Sequence, residues 1–213
     1  MVLDTLSILN FKNIRDERLQ LSAGINCFVG DNGAGKTNIL DAIHYLALAK
    51  SMYTMTDAQS ITHGEEFFML DGSFLSDKAM KELVVCSYAR RTGKTLKHNG
   101  KEYDKLSEHV GLIPIVMVSP ADSSLISDSA EERRRYLNGF ISQLDWVYLN
   151  SMMRYNAVLA ERNVFLKRSS DETMLQIYDM QLSEHGTRVY EKRKQIVEQM
   201  QPLVMEYYRE LSE

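Results

Sequence analysis

One short segment of the chain contains residue types whose spacing suits the binding of a nucleotide. Residues 30–37 fit the pattern GxxxxGK[ST] at every fixed position. Glycines let the backbone adopt positive φ and wrap its N–H groups around phosphate, the lysine reaches the β- and γ-phosphates, and the threonine hydroxyl ligates Mg²⁺. The pattern predicts an ATP site, with Thr37 as the metal ligand. Its residues are Gly30, Asp31, Asn32, Gly33, Ala34, Gly35, Lys36 and Thr37.

The segments on either side of this loop are of the kinds that the motif requires. Residues 25–29 form a short apolar run that predicts a buried strand ending at Gly30. Residues 37–50 carry apolar side chains at three- and four-residue spacing, which predicts a helix packed on a sheet. Strand, loop and helix in this order favour a phosphate-binding loop over an ordinary glycine-rich turn.

Two other segments resemble nucleotide motifs only superficially. Residues 92–95 read TGKT, but Tyr88 stands where the first glycine is needed, so a hairpin turn is predicted there. Residues 182–186 read LSEHG, which is similar to an ABC-type signature, but Glu184 replaces a small residue inside a helical pattern. Neither segment is predicted to bind nucleotide.

The rest of the chain divides into a strand-rich part and a helical part. Further strands are predicted at 2–9, 18–21, 67–75, 83–90, 95–97 and 112–118. Beyond Pro120 helical periodicity dominates, with Tyr148 on the apolar face of the first of three helices and a kink or restart at Pro202 in the last. The long last helix favours an antiparallel arm over a zipper. We therefore predict domains at 1–122 and 123–213.

Composition excludes several classes of protein. Lys and Arg number 25 against 29 Asp and Glu, so the formal net charge of −4 excludes a uniformly basic nucleic-acid coat. The sequence has no apolar run near 18 residues and no basic leader, which predicts a cytoplasmic protein without membrane contact. Cys27 and Cys86 fall in apolar runs and are predicted to be buried and reduced.

Longer blocks around the loop resemble a known family. They are residues 6–13, 24–26, 30–51, 118–122, 132–138, 154–159 and 161–163. Together they resemble the RecF family of bacterial recombination-repair proteins, which belongs to the SMC-like, ABC-type ATPases. Asn38, Asp41 and Ser51 fit the family pattern, and the resemblance adds Asn38 to the nucleotide-binding residues. Met52 and Tyr53 depart from it, because the family usually has an aromatic residue and an arginine there.

The resemblance implies a fold and a function. The fold is α/β, a P-loop NTPase head of the ABC/SMC type with a mixed sheet around a central P-loop helix, followed by a helical lobe or arm. The function is ATP-dependent DNA binding in recombinational repair and replication-fork maintenance, with recombinase loading at gapped DNA. The implied cofactors are ATP and Mg²⁺. The implied partners are double-stranded or gapped DNA, a second copy in an ATP-dependent homodimer, RecR and RecO. A P-loop small-molecule kinase and an SMC-like structural clasp are the alternatives.

The resemblance also implies that part of the family's ATPase is missing. After residue 182 the sequence has no apolar run ending in Asp-Glu, which is the Walker B pattern. We therefore interpret the chain as an N-terminal fragment that binds Mg-ATP but neither hydrolyses it nor dimerises with it, while the full-length protein has weak ATPase activity.

Arg133, Arg134 and Arg135 form a run of three basic residues and are candidate contacts for DNA or a partner. On a helix each residue advances about 100°, so the three cannot all face one phosphate backbone. A solvated helix start with internal ion pairs is the alternative.

Overall fold

The computed structural model describes residues 1–76, 80–127 and 129–212. They form two compact units, Met1–Val118 and Ser119–Glu213. The first is built on a sheet and the second is helical, whereas the sequence places the change after residue 122.

The first unit contains an antiparallel sheet with one long helix, α1 (Lys36–Leu48), on one face. The strands run in the order β2-β1-β3-β4-β5-β6. Their bounds are β1 Val2–Phe11, β2 Ile14–Gln20, β3 Phe67–Leu75, β4 Lys81–Ala89, β5 Gly93–His98 and β6 Lys101–Glu102. Every pairing between these strands is antiparallel, which differs from the expected mixed sheet. The predicted strands at 2–9, 67–75 and 83–90 are confirmed.

Helix α1 packs on this sheet through an aromatic cluster. Tyr45 of α1 meets Phe11 and Phe68 edge-to-face, with ring centroids 5.8 and 5.2 Å away. All three rings are fully buried, and such pairs add about 0.5–1.5 kcal/mol beyond area burial. A Cβ on Gly72 of β3 would lie 2.8 Å from the Cδ1 of Leu46 and from the Phe74 ring, so these core side chains would have to shift to accept a larger residue.

Two predicted strands are wrong. Residues 25–29 and 112–118 form no strand in the described part of the chain. Ile25 and Val29 are 91% and 93% exposed, Val116 and Val118 are 77% and 81% exposed, and Cys27 is exposed rather than buried. The prediction rested on apolar composition, but a strand also needs a neighbour to pair its N–H and C=O groups. The described sheet includes neither segment, although Ile113 of the second one is buried in the core.

Cys86 behaves as predicted. It is fully buried in β4, and burial raises the pKa of its thiol to about 12. A thiol in this state is unreactive at neutral pH.

A buried histidine makes the first unit sensitive to acid. His109 is fully buried, its Nε2–H donates to the carbonyl of Leu46 at 2.6 Å, and burial lowers the pKa of its imidazole. The group is neutral in the folded state and has a pKa of about 6.5 when unfolded. Its contribution to stability is therefore complete above about pH 6.5 and is lost as the pH falls below that value.

We expect the free energy of unfolding to fall between pH 7.5 and pH 5.5 by up to about 1.4 kcal/mol per pH unit for each such histidine. His44, whose pKa is also lowered by burial, adds to the effect. Urea unfolding at the two pH values measures it, and His109→Gln should show a smaller fall than the wild type. An equal fall in both proteins would contradict the assignment.

The described residues of the second unit form four α-helices. They are α2 Ser124–Ser127, α3 Ala130–Leu144, α4 Trp146–Phe165 and α5 Glu172–Ser212. The fully buried Ile141 of α3 packs with Tyr148 of α4 and with Val189 and Ile196 of α5. Tyr148 does not lie on the first helix as predicted, because Asp145 has extended backbone angles and ends it. Its carboxylate then accepts a hydrogen bond from the Tyr148 N–H at 3.0 Å and caps α4.

Helices α4 and α5 lie antiparallel, as predicted. Arg162 pairs with Asp179 at 2.7 Å near one end, and Asp145 pairs with Lys192 at 2.9 Å near the other. Helix α5 runs continuously through Pro202, so the predicted kink or restart is not observed as a break. Proline removes one N–H bond, but the segment is exposed and water can hydrate the freed carbonyl. None of the helices in the described ranges is both long and apolar enough to cross a bilayer.

Candidate nucleotide-binding site

The loop that carries the GxxxxGK[ST] motif leads directly into α1. Gly33 and Gly35 have φ of +84° and +103°, in the region that favours glycine, and Gly35 is the residue before the first helical residue, Lys36. Thr37 and Asn38 lie in the first turn of α1. The predicted residues 30–38 are thus one continuous loop and helix start. Backbone N–H groups at a helix N-terminus, with the positive end of the helix dipole, favour an anion.

The ammonium of Lys36 folds back into this loop. It donates to the carbonyl oxygens of Gly30 and Asp31, each at 2.7 Å. The Ala34 N–H also donates to the Asp31 carbonyl, at 3.2 Å. The backbone of residues 30–36 therefore forms a ring that closes around the positive charge of Lys36. These groups fit a triphosphate with Mg²⁺, since Lys36 would hold phosphate oxygens and the exposed Thr37 hydroxyl is available to a metal ion.

Sequence reasoning missed a residue that contacts the loop from outside. Asn13 lies in the turn between β1 and β2, and its side-chain amide donates to the carbonyl of Gly33 at 2.6 Å. The amide oxygen of Asn13 accepts from the side chain of Asn38 at 2.7 Å. These partners are 20 and 25 residues away in sequence, so no local pattern could have indicated them. The only signal was that Asn13 falls within a family-like block.

A buried ion pair lies on the side of α1 next to this turn. The ammonium of Lys12 is 2.6 Å from the carboxylate of Asp41, which is fully buried. The same carboxylate accepts from the Ser51 hydroxyl and the Met52 N–H, both at 2.7 Å. The Tyr53 ring lies with its centroid 5.2 Å from the Lys12 ammonium. Through these contacts Asp41 links the β1–β2 turn to the residues that follow α1.

Lys94 of the TGKT segment has a structural role. It lies in strand β5 and not in the hairpin turn predicted for residues 92–95, and its ammonium donates to the carbonyl of Ala49 at 2.7 Å. It also pairs with Asp57 at 2.9 Å. These contacts hold the end of α1 against the sheet, and no phosphate-binding loop surrounds Lys94.

The three consecutive arginines begin α3 in the helical unit. All three are exposed. Arg135 pairs with Glu132 of the same turn, and Arg133 donates to the carbonyl of Leu125 at 3.2 Å. The predicted internal pairing is therefore observed for Arg135.

Comparison with known proteins identifies the family of this chain. Residues 5–203 match the family described as AAA domain. The chain is 46% identical over 210 residues to the DNA replication and repair protein RecF of Parabacteroides distasonis, covering 98% of this chain and 57% of that protein. The protein of the same name from Flavobacterium johnsoniae is 44% identical over 208 residues, covering 95% of this chain and 58% of that protein. The chain belongs to the RecF family. It spans somewhat less than three fifths of the length of these RecF relatives.

Solved structures agree with the family and the fold. A structure of the recombination mediator protein RecF with ATP, from the RecFOR pathway, is similar with a TM-score of 0.89 and 29% identity. It is matched over 93% of this chain and 54% of that chain. A structure of an SMC ATPase, studied for ATP-driven dimerization and DNA-stimulated activation, has a TM-score of 0.54 at 19% identity, over 68% of this chain and 100% of that chain. The predicted ABC/SMC-type head is confirmed.

Proposed function

We propose that this RecF-family chain binds ATP and Mg²⁺ through residues 30–38. The observation that carries the proposal is the loop itself, in which Gly33 and Gly35 at positive φ close a ring around the Lys36 ammonium at the start of α1. The relative described as RecF-ATP supports the choice of nucleotide. Thr37 is the proposed Mg²⁺ ligand, and Asn38 the last nucleotide-binding residue.

For the whole protein we propose ATP-dependent binding of duplex or gapped DNA in replication and recombinational repair. Relatives named as DNA replication and repair proteins and the recombination mediator structure support this role. Recombinase loading, cytoplasmic location, the partners RecR and RecO, and an ATP-dependent homodimer are parts of the same proposal. The SMC structure described by ATP-driven dimerization suggests the form such a dimer would take.

The ATP part is tested by titrating the purified chain with Mg-ATP and following the fluorescence of a labelled analogue. We expect saturable binding that ATP competes away and that weakens when Mg²⁺ is removed. Failure to bind ATP, in a chain shown by circular dichroism to be folded, would overturn the proposal.

The DNA part is tested on the arginines of α3. If Arg134 contacts a DNA phosphate, Arg134→Ala should weaken duplex binding and lower the slope of log affinity against log salt by about 1. Arg91, exposed in the turn between β4 and β5, provides the control variant Arg91→Ala. Equal slopes for the wild type and both variants would remove Arg134 from the DNA interface.

A further inference from the structure

The Asn13 amide is joined at both ends to the nucleotide loop and its helix. Its NH₂ group donates to the carbonyl of Gly33, and its oxygen accepts from Asn38 in the first turn of α1. The amide also packs directly on Gly35, where an added Cβ would lie 3.0 Å from the Asn13 oxygen. One side chain thus contacts the middle of the loop, its last glycine and the start of the helix.

This contact determines the direction of a peptide group. A trans peptide is planar, and its C=O and N–H point in opposite directions. Because the Gly33 carbonyl is held outward by Asn13, the N–H of Ala34 in the same peptide points to the inner side of the ring, where it donates to the Asp31 carbonyl. The inner side is also where the Lys36 ammonium lies. Backbone N–H groups on that side are the ones that hold phosphates.

We infer that Asn13 is a positioning residue for the nucleotide: it orients the Gly33–Ala34 peptide and fixes the loop to α1. The inference rests on the proposed function of residues 30–38. Glycine at positions 33 and 35 allows the loop many conformations, so a fixed outer partner is needed to select one of them. The turn that carries Asn13 is itself anchored, because the neighbouring Lys12 is paired with the buried Asp41.

The test compares Asn13→Ala and Asn13→Asp with the wild type in Mg-ATP titrations. Loss of one orienting hydrogen bond should raise the Kd of Asn13→Ala about three- to tenfold. Asn13→Asp keeps the size but loses the donor and adds a negative charge beside the phosphates, so its Kd should rise further. That additional rise should shrink with added salt, because the site is exposed and screened.

The control variant is Asn26→Ala, which removes an exposed amide that bonds the backbone of Ser22 in the same unit. It should bind Mg-ATP as the wild type does.

A second measurement on Asn13→Ala separates a positioning role from a general effect on stability. Without nucleotide, the amide NMR resonance of Ala34 should move in Asn13→Ala while the thermal unfolding midpoint stays near that of the wild type.

The outcomes distinguish this inference from the proposed function. If Lys36→Ala loses ATP binding but Asn13→Ala does not, the positioning role is overturned and the nucleotide site stands. An unmoved Ala34 resonance in a weakly binding Asn13→Ala would also overturn it. If the wild-type chain binds no ATP, both proposals fall together.

Discussion

Lys36→Ala is expected to weaken the binding of Mg-ATP at least tenfold, which corresponds to about 1.4 kcal/mol. The side chain supplies the ammonium that lies inside the loop formed by residues 30–37. Its present partners are carbonyl groups of exposed residues, which water can hydrate, so the variant should fold normally. Titration calorimetry with the folded variant measures the loss. Wild-type affinity in Lys36→Ala would contradict the site.

Two variants sharpen this comparison. Thr37→Ala should lose the Mg²⁺-dependent part of the affinity for ATP and keep the rest, because it removes only the proposed metal ligand.

Lys94→Ala, the matched lysine variant in the TGKT segment, should keep the full affinity for Mg-ATP. It should lower the melting temperature instead, since its ammonium bonds Ala49 and Asp57. A similar loss of affinity in Lys94→Ala and Lys36→Ala would show that the loop alone does not bind the nucleotide.

Lys12→Met is expected to lower the free energy of unfolding by about 3–5 kcal/mol. Methionine keeps much of the side-chain volume but leaves the carboxylate of Asp41 fully buried without its counter-charge. Hydrogen bonds from Ser51 and Met52 persist, yet they do not neutralise it. Urea unfolding at pH 7.5 measures the change.

Arg15→Met is the control for this prediction, because Arg15 forms an ion pair with Glu65 on the surface. That pair is 3.6 Å long with an arginine side chain 75% exposed, so its loss should cost no more than about 1 kcal/mol. Asp41→Asn added to Lys12→Met should recover part of the loss, since no buried charge is then left unpaired. A cost below about 1 kcal/mol in Lys12→Met would contradict the importance of the pair.

Several features followed from the sequence because their causes are local. The fixed positions of the GxxxxGK[ST] motif specify a loop and a helix start, and Gly33 and Gly35 adopt the positive φ that the motif requires. The apolar spacing in residues 37–50 predicted α1. Each of these depends on residues close together in the chain.

The resemblance to the RecF family was also visible in the sequence, because blocks along most of the chain carry it. It identified residues 30–38 but indicated nothing about what holds them. Asn13 and Lys12 sit in a family-like block, yet their partners Gly33 and Asp41 become neighbours only when the β1–β2 turn folds against α1.

Only the tertiary structure decided which apolar segments are covered. Residues 25–29 and 112–118 have the composition of buried strands, but neither segment forms a strand in the described structure, and in the second only part of the segment, including Ile113, is buried. The helix boundary at Asp145 was hidden for a related reason, because an apolar face continues from Ile141 to Tyr148 across the break. Periodicity shows which side chains form an apolar face, whereas backbone pairing and packing between distant residues determine which of those side chains are buried.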